Sequence, residues 1–129
     1  MISQLFIFWS NLKTQLRVIY LQDKIAIFLF LFSLILNLAL YIIFIVFVDS
    51  GTDQIILHYN IYFGIDLLGS WYNLYIMPAV GSFLLLTNFC LLFFVYKREQ
   101  ILGYFLGAVS ILVELLLLIG GSLLLWLNF

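Results

Sequence analysis

IAIFLFLFSLILNLALYIIFIVFV, residues 25–48, runs for 24 residues without a charged side chain. A helix needs about 20 apolar residues to cross the hydrocarbon core of a bilayer. The run is too long for a strand and lacks the period-two alternation of a membrane barrel. Only a helix satisfies its own backbone in lipid. Two further apolar runs follow, 74–96 and 101–127, the last interrupted by Glu114. The expected fold is therefore all-α and integral to a membrane, with three transmembrane helices in one domain covering residues 1–129.

Composition agrees with that reading and removes other classes. Of the 129 residues 67% are hydrophobic and 9% charged, where a soluble domain carries about 25% charged residues. Too little polar surface exists to cover a water-soluble globule, and disorder needs the opposite composition. Cys90 is the single cysteine, so no disulfide scaffold can form. Five basic residues against six acidic ones give no electrostatic footprint for nucleic acid. No phosphate-binding glycine loop, paired catalytic carboxylates or nucleophile elbow occurs. The expectation is a non-enzymatic protein with no cofactor and no metal.

The few charges are sorted along the chain. Lys13, Arg17 and Lys24 precede the first span, and Lys97 and Arg98 lie in the 97–100 turn. The 49–73 loop holds Asp49, Asp53 and Asp66 and no Lys or Arg. By the positive-inside rule the N-terminus and the 97–100 turn are cytoplasmic, and the 49–73 loop and C-terminus face the outer side. Residues 1–22 place Leu5, Phe8, Trp9, Leu12, Leu16 and Ile19 near one helical stripe. They read as an amphipathic helix in the cytoplasmic interface, or as a docking face for a partner subunit.

Polar residues inside the spans form a second pattern. Asn37 in the first, Ser82 and Asn88 in the second and Glu114 in the third define a candidate polar seam, because costly intramembrane polar groups face the bundle interior. At about 1.5 Å per residue, Asn37, Ser82 and Glu114 share a depth of about 18–21 Å from the cytoplasmic ends, and Asn88 lies at about 12 Å. Ser33, Tyr41 and Pro78 extend the same faces. Gly103 and Gly107 make a small-xxx-small pattern that permits close helix packing. With no basic residue in any span, Glu114 is expected to be neutral and to hydrogen-bond Asn37 or Ser82. An interhelical link is the favoured role, and a proton or cation site is the alternative.

In the outer loop, His58, Asn60 and Tyr62 alternate with Tyr59, Ile61 and Phe63, which predicts an extended conformation. Gly64 and Gly69 supply turn positions. Tyr59, Tyr62, Trp71, Tyr72 and Tyr75 suit an aromatic belt. The loop is thus expected to be short, partly extended and surface-lying, with His58, Asn60, Gly64, Asp66, Gly69, Ser70 and Trp71 as its candidate framework or interaction residues. One His with scattered aspartates suits a hydrogen-bonded framework better than a metal site. Asp66 would hold the turn, and His58 would pair with a carboxylate or carbonyl.

His58-x-Asn60, then Asp66 and Gly69-Ser70, followed by Pro78 early in the second span, resembles the loop signature of the DUF1648 membrane proteins. That pattern is a Pro-x-His-x-Asn stretch, a Gly-x-x-Asp turn and a Gly-Ser between the first two spans. The resemblance covers about residues 55–78. It departs in lacking a Pro before His58, in a one-residue displacement of Gly64, and in Trp71 where Lys is usual. It implies no reaction. Some members join the module to a further membrane region associated with toxin immunity and signalling. That region is absent here, so the association does not carry over, and a sensor or immunity-type receptor for a peptide or lipid is the third reading. The sequence alone points first to a scaffold, accessory subunit or interaction module, with the bilayer and a membrane-protein partner or second copy as its contacts. An oligomeric transporter using the Asn37, Ser82, Asn88 and Glu114 seam is the alternative.

Overall fold

A computed structural model describes the chain except residues 1–3, 8, 12–13, 15–22, 52–53, 97 and 129. Three helices are long and apolar enough to cross a membrane: α1 Lys24–Phe47, α2 Ile76–Val95 and α3 Gln100–Asn128. A short 3-10 helix, Trp71–Tyr75, leads directly into α2. The expected spans 25–48, 74–96 and 101–127 thus fall on α1, on the end of the 3-10 helix with α2, and on α3. Most of the 1–22 amphipathic helix lies outside the described residues. Residues 4–7, 9–11 and 14 are helical, with Leu5, Phe6, Ile7 and Trp9 exposed.

Asp23 starts α1 as its N-cap, accepting the amides of Ile25 at 3.0 Å and Ala26 at 3.1 Å. Pro78 sits in the first turn of α2, where a missing amide hydrogen costs nothing. The buried residues of α1 are Ala26, Phe30, Ser33, Asn37, Leu40 and Phe44. Those of α3 are Gly103, Gly107, Ser110, Glu114, Gly121 and Leu125. The first steps by fours and threes and the second does the same with one step of seven, a period of about 3.5 that keeps two helices in contact along a shared seam. The α1–α3 contact is accordingly the most extensive in the bundle, and α2 packs more closely on α3 than on α1.

Glycines on α3 set the approach. A Cβ on Gly107 would stand 2.8 Å from Leu29 of α1, one on Gly121 2.7 Å from Leu40, and one on Gly103 2.9 Å from Leu92 of α2. The Gly103-x-x-x-Gly107 pair therefore serves two different neighbours within one chain. Outward faces remain apolar, with Phe28, Leu31, Ile35, Ile42, Phe83, Phe94, Phe105 and Leu116 all exposed. Such faces suit hydrocarbon as their solvent rather than water.

The interior is layered. Ala26, Phe30, Leu92 and Tyr96 form an apolar cluster at the end bearing Lys24 and Arg98. Leu40, Phe44, Ile55, Leu74 and Leu125 form another at the opposite end. Polar side chains lie between them along the helices.

The 49–73 loop is more regular than an irregular extended segment. Strands β1 Ile55–Asn60 and β2 Gly64–Gly69 pair antiparallel, with Asn60 opposite Gly64 and Ile55 opposite Gly69. An all-α description is corrected by this two-stranded hairpin. The turn Ile61–Phe63 ends on Gly64 at φ +77°, the left-handed conformation a three-residue hairpin loop requires. Gly69 is not a turn residue. It closes β2, and a Cβ there would meet Leu57 at 2.3 Å and Asn73 at 2.8 Å, so its bare backbone lets the bulged strand tuck Leu57 inward.

Candidate functional site

The polar side chains of the spans separate into two nodes rather than one seam. In the first, Asn37 Nδ2 donates to Glu114 Oε2 at 3.1 Å and to the Pro78 carbonyl at 3.0 Å. Ser82 Oγ has one hydrogen and two acceptors, Asn37 Oδ1 at 2.8 Å and the Pro78 carbonyl at 2.9 Å. One amide thus links α1 to both other helices. Glu114 is 2% exposed, and among the described residues no cationic side chain pairs with it. Gly81 makes the room: a Cβ there would stand 2.6 Å from Asn37 Nδ2 and 2.8 and 2.9 Å from the two carboxyl oxygens.

Asn88 belongs to the second node. Its Nδ2 donates to Ser110 Oγ at 3.0 Å, tying α2 to α3. Ser33 bonds the Leu29 carbonyl of its own helix and joins neither node. Equal sequence depth groups Asn37, Ser82 and Glu114 correctly. Asn88, six residues further along α2 than Ser82, keeps the shallower depth that the helical rise gives it and meets Ser110, one turn from Glu114 on α3.

On the hairpin, register irregularities beside His58 bring His58 Nδ1 to 2.6 Å from Asp66 Oδ1 across the strands. The pair is solvent-facing, at 61% and 41% side-chain exposure, a setting where ion pairs contribute about 0–1 kcal/mol. Asn60 Oδ1 accepts the Tyr62 amide at 2.9 Å and holds the turn. Ser70 precedes the 3-10 helix, its carbonyl taking the Asn73 amide at 3.0 Å. Trp71 packs edge-to-face on Tyr72 and Tyr75. At the tip Ile61, Tyr62 and Phe63 are 87%, 89% and 84% exposed. Among the described residues no three His, Cys, Asp or Glu side chains converge as metal ligands.

Two anchors escape a reading by segments. Asn128, at the end of α3, accepts the Ile56 amide at 2.7 Å and donates to the Ile56 carbonyl at 2.9 Å. Its side chain thus pairs with the strand as another strand would, and pins the hairpin base to the bundle. Replacing Asn128 with Ala leaves both Ile56 groups unpaired, at a cost of about 1–3 kcal/mol. Amide hydrogen exchange across residues 55–69 is expected to accelerate, with protection of α1 unchanged.

Asp23 organises the other end. Its Oδ2 accepts the hydroxyls of Tyr96 and, at 2.7 Å, Tyr104, while Gln100 Nε2 donates to Tyr96 Oη at 3.1 Å. The sequence signal available was an Asp two residues before the apolar run begins at Ile25, the mark of an N-cap. Burial pushes the Asp23 carboxyl up, but the hydrogen bonds from Tyr104, Tyr96 and the amides of Ala26 and Ile25 outweigh it and hold the group below the usual carboxylate value. A lowered folded value means this stabilisation is complete above the unfolded carboxylate value of about 3.9 and disappears as pH falls through the folded one. Asp23→Asn is therefore expected to unfold more easily than the parent at pH 7, the difference closing in acid. Unfolding midpoints between pH 7 and pH 2 check this.

Comparison with protein-family models, curated proteins and solved structures finds no match to this chain.

Proposed function

We propose that this protein is a non-enzymatic membrane scaffold or accessory subunit that holds an interaction hairpin at one membrane face. The observation carrying this reading is the hairpin itself. Its base is fixed by Asn128 and by Ile55 in the apolar cluster, while its tip projects Ile61, Tyr62 and Phe63 into the surroundings. A rigid base and an apolar tip suit recognition of a protein surface. The intramembrane polar groups support the same reading, because Asn37, Ser82, Asn88, Ser110 and Glu114 bond one another and act as interhelical links. The charge bias supports a hairpin on the outer side and a cytoplasmic Lys24 and Arg98 end.

The test is purification of the tagged full chain in mild detergent, with mass measurement and identification of what co-purifies. A fixed heteromeric partner that is lost in Tyr62→Ser/Phe63→Ser supports the scaffold. A closed homo-oligomer passing ions in liposomes would overturn it in favour of a transporter. Binding of a soluble peptide or lipid to the hairpin without a fixed partner would favour the sensor or immunity-type receptor.

A further inference from the structure

The α1–α2 contact is the loosest of the three helix pairs, and it leaves a groove of about 350 Å³ on the outside of the bundle. Ile27, Leu31 and Leu34 line it from α1, Leu85 and Leu86 from α2. Its floor is the edge-to-face pair Phe30–Phe89, with ring centres 5.3 Å apart. We propose that this groove seats one acyl chain of an anionic phospholipid, whose headgroup is held by Lys24.

Three observations select that occupant. The lining is wholly apolar, with no small residue and no hydrogen-bonding side chain. Close helix association in membranes relies on those two features, so the groove suits a flexible hydrocarbon chain better than a partner helix. Its extent fits within one leaflet: Ile27 to Leu34 spans about 10 Å of helix rise, and Lys24, one turn beyond the lining, brings the span to about 15 Å, half the hydrocarbon thickness of a bilayer. Charge fits as well. Lys24 lies on the same helical stripe as Ile27, Leu31 and Leu34, at i, i+3, i+7 and i+10, and its side chain is exposed.

The neighbouring carboxylate does not oppose an anion there. Asp23 is turned inward, with Oδ1 accepting two amides and Oδ2 two tyrosine hydroxyls. Among the described residues no carboxylate lies within 4.0 Å of the Lys24 ammonium. Arg98 and Glu99 are both exposed in the nearby turn and offset each other in charge. Among the described residues Lys24 is thus the net cationic group at the mouth of the groove.

The experiment is native mass spectrometry of the full chain from detergent micelles containing equal phosphatidylglycerol and phosphatidylcholine. The parent is expected to retain one phosphatidylglycerol in preference to phosphatidylcholine by about fivefold, the effect of one basic residue at a membrane surface. Lys24→Gln should abolish the preference while lipid is still retained. Leu86→Trp, which fills the groove, should remove both lipids, and Leu31→Phe is the milder filler if the first does not fold. Equal retention of the two lipids by the parent overturns the proposal. So does efficient cross-linking of Leu31→Cys between copies in a Cys90→Ser background, which would seat a second chain in the groove.

Discussion

Gly81→Leu is expected to unmake the bundle. Even the first added carbon would stand within 3 Å of Asn37 Nδ2 and both Glu114 oxygens, and two of those groups belong to different helices. Neither can retreat freely, because Asn37 is also tied to Pro78 and Ser82. Overpacking costs about 1–3 kcal/mol, and a displaced buried polar group adds about 1–3 kcal/mol. Gly81→Ala carries that first carbon and should show a smaller loss of the same kind. Unfolding in mixed micelles, followed by tryptophan fluorescence, should rank the parent above Gly81→Ala and Gly81→Leu last. Equal midpoints for all three would mean that Gly81 does not contact the node.

The second large effect is a reversal. Asn37→Leu removes the amide donor from Glu114 and leaves a carboxyl buried among apolar groups, an expected loss of about 1–3 kcal/mol. Glu114→Leu strands the Asn37 amide in the same way, although Pro78 and Ser82 still hold it, so its loss should be the smaller. Asn37→Leu/Glu114→Leu removes both partners together. It should recover much of the stability, because loss of a whole hydrogen-bonded pair is far cheaper than loss of half of it. The double-mutant cycle therefore predicts strong non-additivity, whereas additive losses would deny the contact. Glu114→Gln keeps an acceptor for Asn37 and should assemble like the parent. Retained assembly with loss of a proton-coupled activity would assign Glu114 to ion handling instead.

Particular residues show how far the sequence could be followed. Glu114, Asn37 and Ser82 were legible as a group because the rise of a helix converts sequence position into depth, and polar groups at one depth are candidates to meet. Asn88 was grouped with them although the same rise sets it about 6–9 Å shallower, and its partner is Ser110, one turn from Glu114 on α3. Gly64 was legible as a turn residue, and its positive φ gives the reason. Gly69 was read as a second turn, because a glycine required by an incoming side chain looks identical in sequence to one required by backbone conformation. Asn128 left no signal at all, since its partners are the backbone groups of Ile56, more than seventy residues away in the chain.

The amino-acid sequence by itself determined the three long apolar helices and the placing of every charged residue but Glu114 outside the apolar runs. Those properties are local: in hydrocarbon each span must satisfy its own backbone, and each charge must lie near an interface. Only the tertiary structure decided that Gly81 makes room for a carboxyl on α3, that Asp23 gathers two tyrosines, that Asn128 holds the hairpin, and that α1 and α2 part to leave a groove above Lys24. These depend on the rotation and axial offset of one helix against another. Both are set by packing summed over the whole bundle, so no single segment's pattern carries them.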